Sequence, residues 1–227
     1  MVAADLALLD SIQRRVLWLA TWMIHHANVL RPNPDGTKVG GHQASSASLT
    51  SVLTALYFHT LGPGDVVAVK AQAAPAFYAI QYLLGRLPAE ALTTLRAFGG
   101  LQAYPSRRKN PEIVDLSTGS MGLGAVAATF GALATRYLGD HFGVRHPERF
   151  IVLVGDAELD EGNVWEALLE ESVATLGNLL WIVDLNRQSL DRVAPDARRH
   201  QLRQMFAANG WHVIALRWGG RLRALFE

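Results

Sequence analysis

Four carboxylates, Asp156, Glu158, Asp160 and Glu161, fall within six residues directly after the apolar run RFIVLV (149–154). An asparagine, Asn186, stands thirty residues beyond the first of them, just past the next apolar run, NLLWIVDL (178–185). Between the runs lies NVWEALLEESVATL, where Asn163 is placed to cap a helix and Glu166 follows at the spacing of a capping box. A strand–helix–strand unit of this kind is right-handed and makes its strands parallel. Asp156 and Asn186 are therefore expected just beyond the carboxyl ends of two parallel strands, the edge at which open α/β sheets bind ligands. An EF-hand loop is excluded: counted from Asp156, the sixth and twelfth places hold Glu161 and Ala167 rather than Gly and Glu. Asp160, Glu161 and Glu166 are accounted for by the positive end of the helix they precede or enter. That leaves one carboxylate and one neutral amide, too little charge for an all-protein cage. The pair suits Mg²⁺ if the ligand brings anionic oxygens of its own, so it predicts a phosphorylated cofactor.

The elements that must hold these residues read as alternating strands and helices. DVVAVK (65–70), RFIVLV, NLLWIVDL and WHVIAL (211–216) have strand composition, and helical spacing or composition falls near 76–85, 89–98, 122–138, 163–176 and 198–209. Apolar strands separated by helix-length segments predict an α/β fold, a mainly parallel sheet with helices on both faces. Ahead of them, Leu6, Leu9, Ile12, Val16, Leu19, Met23 and Leu30 recur at three- and four-residue steps, as in an amphipathic packing helix. The adjacent His25 and His26 point in different directions on such a helix and are read as structural. RPNPDGTKVGGHQASSAS (31–48) reads as a loop. The glycines of GSMGLGA (Gly119, Gly122, Gly124) open a helix whose backbone amides are able to face an anion, or else make a tight packing turn. Their order is not that of a dinucleotide-binding turn, and no P-loop lysine follows. The expected organisation is an N-terminal helix and linker (1–37) packed on a domain of residues 38–227, with WGGRLRALFE opening a further helix and a continuation or partner chain expected beyond it.

Charge and composition exclude more than they assign. With 21 basic and 20 acidic side chains among 227 residues, no bulk field recruits nucleic acid or an anionic membrane. Cysteine is absent, which removes disulfides, thiolate catalysis and Cys-ligated zinc. The N-terminus lacks the pattern of an export signal, and its longest apolar run, VLWLATWMI, is far below the ~20 residues that span a bilayer. A cytoplasmic protein is expected.

Gly155-Asp156 followed by Asn186 in VDLNRQSLD resembles the thiamine diphosphate binding motif, in which a Gly-Asp-Gly turn and a later Asn hold the Mg²⁺–diphosphate group. In order along the chain, VGGHQASSAS, AYPSRRKNPEIVDLSTGSMGLGA, GDAELDEGNVWEAL, VDLNRQSLD and FAANGWHVI resemble segments of the homodimeric bacterial pyruvate dehydrogenase first component, a relative of the transketolases. The resemblance implies the diphosphate-binding domain of that fold, with thiamine diphosphate and Mg²⁺ as cofactors. It implies Asp156, the Asn186 side chain and the Gln188 backbone carbonyl as metal ligands, with Gly155, Ala157, Met121 and Gly122 against the cofactor. His42 and Ser45 match positions near the diphosphate and the reacting centre, Tyr104 and Met121 match channel-lining residues, and Glu158 matches a position whose backbone amide counts for more than its charge.

The implied activity is that of a 2-oxo acid enzyme, decarboxylating pyruvate and passing the acyl group on, with a lipoyl acyltransferase as a possible acceptor. The alternatives are a transketolase acting on ketose phosphates and a non-catalytic assembly module. In the resembled family an activating Glu comes from a pyrimidine-binding domain, and no residue here matches it, so a pyrimidine-binding domain or subunit and a homo- or hetero-oligomer are implied. Two positions depart from the pattern. Ala157 replaces a Gly, which matters if the turn needs φ > 0, and Gln72 replaces a His, which removes any proton transfer by that side chain.

Overall fold

Three of the four apolar runs form strands in the computed structural model, which describes residues 5–144, 149–186, 188–189, 192–193, 197–216, 219–220 and 224–225. Strands β1 (Val66–Ala68), β2 (Phe150–Gly155) and β3 (Leu179–Asp184) are parallel and ordered β1-β2-β3, with Val66 opposite Phe150 and Gly155 opposite Asp184. Alternate residues face opposite ways along a strand, and here both faces are buried. Val67, Ile151, Leu153 and Ile182 enter one core with α1 (Leu6–His25), α3 (Thr50–Ala55) and α4 (Ala74–Leu83). Ala68, Val152, Val154, Trp181 and Val183 enter a second core with α5 (Leu123–Phe142), α6 (Gly162–Leu169) and α7 (Ala197–Ala208). The chain is thus an α/β domain with helices on both faces of a parallel sheet, as the alternation implied.

Several local expectations are corrected. Residues 211–216 are not a strand. Gly210, at φ +80°, turns the chain after α7, and Trp211 packs edge-on against Trp181 and Phe206. Beyond it Ile214 and Leu216 are exposed and no ladder forms on the outer side of β3 among the described residues. An aromatic and β-branched run was satisfied by one anchoring ring instead of by strand pairing. The segment read as a loop at 31–48 contains a short helix, α2 (Gln43–Ala47). The helix expected over 163–176 ends at Leu169 and resumes as a 3₁₀ segment, Glu171–Thr175, and that expected over 89–98 is 3₁₀ at Ala89–Thr94. The helix capped in expectation by Asn163 begins two residues earlier, at Gly162, behind Glu161. Helix α1 buries Val16, Leu19, Ala20, Met23 and Ile24, whereas Leu6 and Leu30 at the ends of the stripe stay exposed. The final stretch lies mostly outside the described residues.

At the amino edge of the sheet, Asp65 ties the start of β1 to the start of β2. Its carboxylate accepts from the Gly62 amide at 2.9 Å, from the Arg149 amide at 3.0 Å, and from the Arg149 guanidinium. These bonds, led by the guanidinium, hold the Asp65 carboxyl at about 2, below its ordinary 3.8. The depressed value means the interaction stabilises the fold above the ordinary carboxylate range and is lost as pH falls through about 2. Arg149 is 47% exposed, so solvent screening limits its worth. Arg149→Ala is expected to cost about 1 kcal/mol at pH 7 in urea denaturation, with the gap from wild type closing as the pH approaches 2.

Candidate cofactor site at the carboxyl rim of the sheet

The two residues singled out by spacing come to the same rim. Asp156 follows the last residue of β2, and its backbone N–H donates to the Asp184 carbonyl at 3.1 Å, while Asn186 stands two residues beyond the end of β3. Parallel strands lie about 4.8 Å apart, so both side chains leave the backbone at neighbouring points. Asp156 is buried, 4% exposed, and one of its carboxylate oxygens accepts the Ala157 amide at 3.1 Å. Among the described residues no three His, Cys, Asp or Glu side chains gather where they could share a metal ion. The Asp156 carboxylate and the Asn186 amide oxygen are donors of the kind that fit a divalent ion also taking oxygens from a diphosphate, and the Asp184 carboxylate beside them accepts from the Asn186 amide nitrogen at 3.3 Å.

Ala157 resolves the first departure from the family pattern. Its φ is −72° and ψ −28°, in the ordinary right-handed region, so the methyl group strains nothing in the backbone. Glu158 has a side-chain role that spacing did not show. Its carboxylate, 5% exposed, accepts the Gly155 amide at 2.9 Å and a hydrogen bond from the Gly122 backbone, so the side chain joins the end of β2 to the start of α5. The anion facing the Gly-rich helix start is thus, at Gly122, the protein's own carboxylate. Gly122 itself has φ +80°, and a Cβ there would lie 2.6 Å from Asn163 Oδ1 and 2.9 Å from Val164 Cγ2. The turn requires glycine for both reasons.

Burial raises the Glu158 carboxyl above its ordinary 4.5, opposed by the two backbone hydrogen bonds and by the charge of Lys70. Between 4.5 and the raised value the folded chain holds more protons than the unfolded one, so the contribution of Glu158 is fullest below pH 4.5 and falls as pH rises. Glu158→Gln keeps an acceptor for both amides and cannot titrate. The wild type is expected to lose urea stability relative to Glu158→Gln between pH 4.5 and 7, and parallel pH profiles of the two would show that burial does not perturb this carboxyl.

The remaining predicted residues belong to α2, to the segment from Tyr104 to Gly122, to β4 and to the turn after β1. His42 is exposed at the start of α2, whose approach is fixed by Asn28: its Oδ1 accepts the Gly40 amide at 2.6 Å and its Nδ2 donates to the Gly41 carbonyl at 3.2 Å. Ser45 is half-buried in α2. Tyr104 lies over Gly119, where a Cβ would approach its Cδ2 to 2.9 Å, and Met121 directly precedes Gly122. The backbone of Gln188 is in β4 (Gln188–Ser189), which pairs with β5 (Arg192–Val193) two residues past Asn186. Gln72 lies in the 3₁₀ turn Ala71–Ala73 after β1, and its Oε1 is buried without a hydrogen-bond partner among the described residues, as are Asn163 Oδ1 and Thr118 Oγ1. Of the excess carboxylates, Asp160 pairs with Arg198 of α7 at 2.6 Å.

Sequence reasoning missed Lys70, Asp184 and Ser48. Lys70 Nζ donates to Asp184 Oδ2 at 2.8 Å, with only 5% and 10% of the two side chains exposed, and Ser48 Oγ donates to the same oxygen at 2.7 Å. The available signal was a charged residue of opposite sign at the end of each of two apolar runs, DVVAVK and NLLWIVD.

A parallel sheet covered by helices on both faces, with Asp156 and Asn186 at its carboxyl rim, places the chain among the open α/β domains, whose ligands sit at the carboxyl ends of the strands. Residues 66–225 match the family model described as the transketolase, thiamine diphosphate binding domain, and the chain belongs to that family. It is 33% identical over 237 residues to the pyruvate dehydrogenase E1 component of Mycobacterium tuberculosis, a match covering 96% of this chain and 25% of that protein. It is also 33% identical over 206 residues to a 6-deoxy-6-sulfo-D-fructose transketolase subunit of a Clostridium species, covering 85% of this chain and 73% of the subunit. The fold matches the transketolase of Leishmania mexicana with a TM-score of 0.74 at 22% identity, over 94% of this chain and 32% of that one. The chain thus spans about a quarter of the length of the pyruvate dehydrogenase component. No helix among the described residues is long and apolar enough to cross a membrane.

Proposed function

We propose that this chain is the Mg²⁺- and diphosphate-binding portion of a thiamine diphosphate-dependent enzyme acting on a 2-oxo acid, working with a pyrimidine-binding domain or subunit. The observation that carries the reading is the buried Asp156 on the same rim as Asn186. Asp156 would supply the anionic oxygen, and Asn186 and the Gln188 backbone carbonyl the neutral ones, which leaves the rest of an octahedral Mg²⁺ shell to diphosphate and water. Bound thiamine diphosphate supplies the carbon nucleophile and electron sink that a 2-oxo acid needs, and the protein supplies position and electrostatics. Glu158, which accepts from the Gly155 and Gly122 backbones, would hold the turn against which the diphosphate is seated. His42 and Tyr104 would lie on the reacting side of the cofactor, and Gln72, which carries no titratable group, would take no part in proton transfer there.

A second reading, transfer between ketose phosphates, is favoured by the 73% coverage of a transketolase subunit at 33% identity. One experiment separates the readings. The chain is combined with a pyrimidine-binding domain in trans, Mg²⁺ and thiamine diphosphate, and turnover of pyruvate, with a lipoyl domain as acceptor, is compared with turnover of a ketose phosphate. Pyruvate turnover is expected. Ketose phosphate turnover alone selects the second reading, and cofactor binding without turnover of either leaves an assembly module.

A further inference from the structure

The carboxylate of Asp184 collects three donors from three segments on one oxygen: Lys70 Nζ at 2.8 Å, Ser48 Oγ at 2.7 Å and Asn186 Nδ2 at 3.3 Å. A carboxylate oxygen accepts but does not donate. Its contact with Asn186 therefore fixes which end of the amide it meets, with the nitrogen against Asp184 and the oxygen turned away from it. Lys70 reaches this point from the far side of the sheet. It follows β1, and β2 lies between β1 and β3, so the side chain must cross the end of β2. It crosses at Gly155, where a Cβ would stand 3.0 Å from Lys70 Cε and 3.3 Å from its Nζ. Gly155 has no left-handed φ, so what the position requires is space for this lysine.

We infer that Asp184, braced by Lys70 across Gly155 and by Ser48, is a positioning residue that sets the amide orientation of Asn186 and thereby presents the Asn186 oxygen to a divalent ion. This inference rests on the reading of Asn186 as a metal ligand. An Asn at position 184 both donates and accepts, so it no longer dictates which way the Asn186 amide faces. Removing Asp184 alone would strand a buried ammonium, so the informative variant is the pair Lys70→Met/Asp184→Asn.

The test uses Mn²⁺ in place of Mg²⁺, titrated with thiamine diphosphate into the full 227-residue chain and followed by electron paramagnetic resonance. The paired variant is expected to melt near the wild type yet bind Mn²⁺ about ten- to a hundredfold more weakly, and Ser48→Ala to show a smaller loss in the same direction. Adding Asn186→Asp to the pair should restore affinity, because a carboxylate offers oxygen at both ends; a merely structural role for Asp184 would not respond to that change. A folded paired variant with wild-type affinity overturns the inference, as does unchanged affinity in Ser48→Ala should the pair fail to fold. Absence of thiamine diphosphate-dependent Mn²⁺ binding in the wild type overturns the metal-ligand reading itself and the inference with it.

Discussion

Asp156→Ala is expected to abolish Mg²⁺-dependent thiamine diphosphate binding, with a loss of about a hundredfold or more in affinity, while leaving the fold intact. Changes to groups that merely orient a ligand already cost about 10–100-fold, and Asp156 would be the one anionic protein oxygen on the ion. The carboxylate is 4% exposed and stands where β2 stops, so it is desolvated in advance and fixed by the strand behind it. One of its carboxylate oxygens accepts the Ala157 amide of the adjoining turn. Isothermal titration with thiamine diphosphate in the presence and absence of Mg²⁺, beside a thermal melt, checks both halves of the expectation. Equal binding by the variant would remove Asp156 from the site.

Gly122→Ala is expected to damage the same site by deforming its frame, at a cost of about 3 kcal/mol. A side chain at φ +80° carries about 1–2 kcal/mol of backbone strain. The added methyl would also meet Asn163 Oδ1 at 2.6 Å, Val164 Cγ2 at 2.9 Å and Glu161 Cβ at 3.3 Å, which overpacks the contact between α5 and α6 by another 1–3 kcal/mol or so. Val164 is fully buried, so it cannot swing into solvent. For a chain of this size the sum corresponds to a melting temperature lower by about 6–12 °C. Because Gly122 also donates to the buried Glu158 carboxylate, cofactor affinity should fall together with stability. A melt within 2 °C or so of the wild type would show that the α5–α6 contact yields more easily than its geometry implies.

The parts of the fold legible in the sequence are those set by local pattern. The runs ending at Lys70, Gly155 and Asp184 contain strands because apolar, β-branched segments of that length pack on both faces, and the arrival of Asp156 and Asn186 at one rim follows from the parallel pairing of β2 and β3. What stayed hidden depends on strand order. That Lys70 and Asp184 meet needs β2 between them with a glycine at its end, a relation among three segments spread over more than a hundred residues. The turn at Ala157 was legible as a question and answered only by its φ. The resemblance reads Glu158 through its backbone amide, and the hydrogen bonds that its side chain accepts from the backbones of Gly155 and Gly122 depend on elements that spacing does not bring together. The run at 211–216 shows the opposite limit: its composition suits a strand, but the packing of Trp211 against Trp181 and Phe206 and the turn at Gly210 leave it unpaired.

The most direct measurement is a crystal structure of the chain with Mn²⁺ and thiamine diphosphate, using the anomalous signal of the metal. A single peak within about 2.2 Å of both a carboxylate oxygen of Asp156 and the side-chain oxygen of Asn186, bridged to the diphosphate, is the expected result. A peak that touches neither residue, or a diphosphate seated away from the carboxyl rim of the sheet, would contradict it.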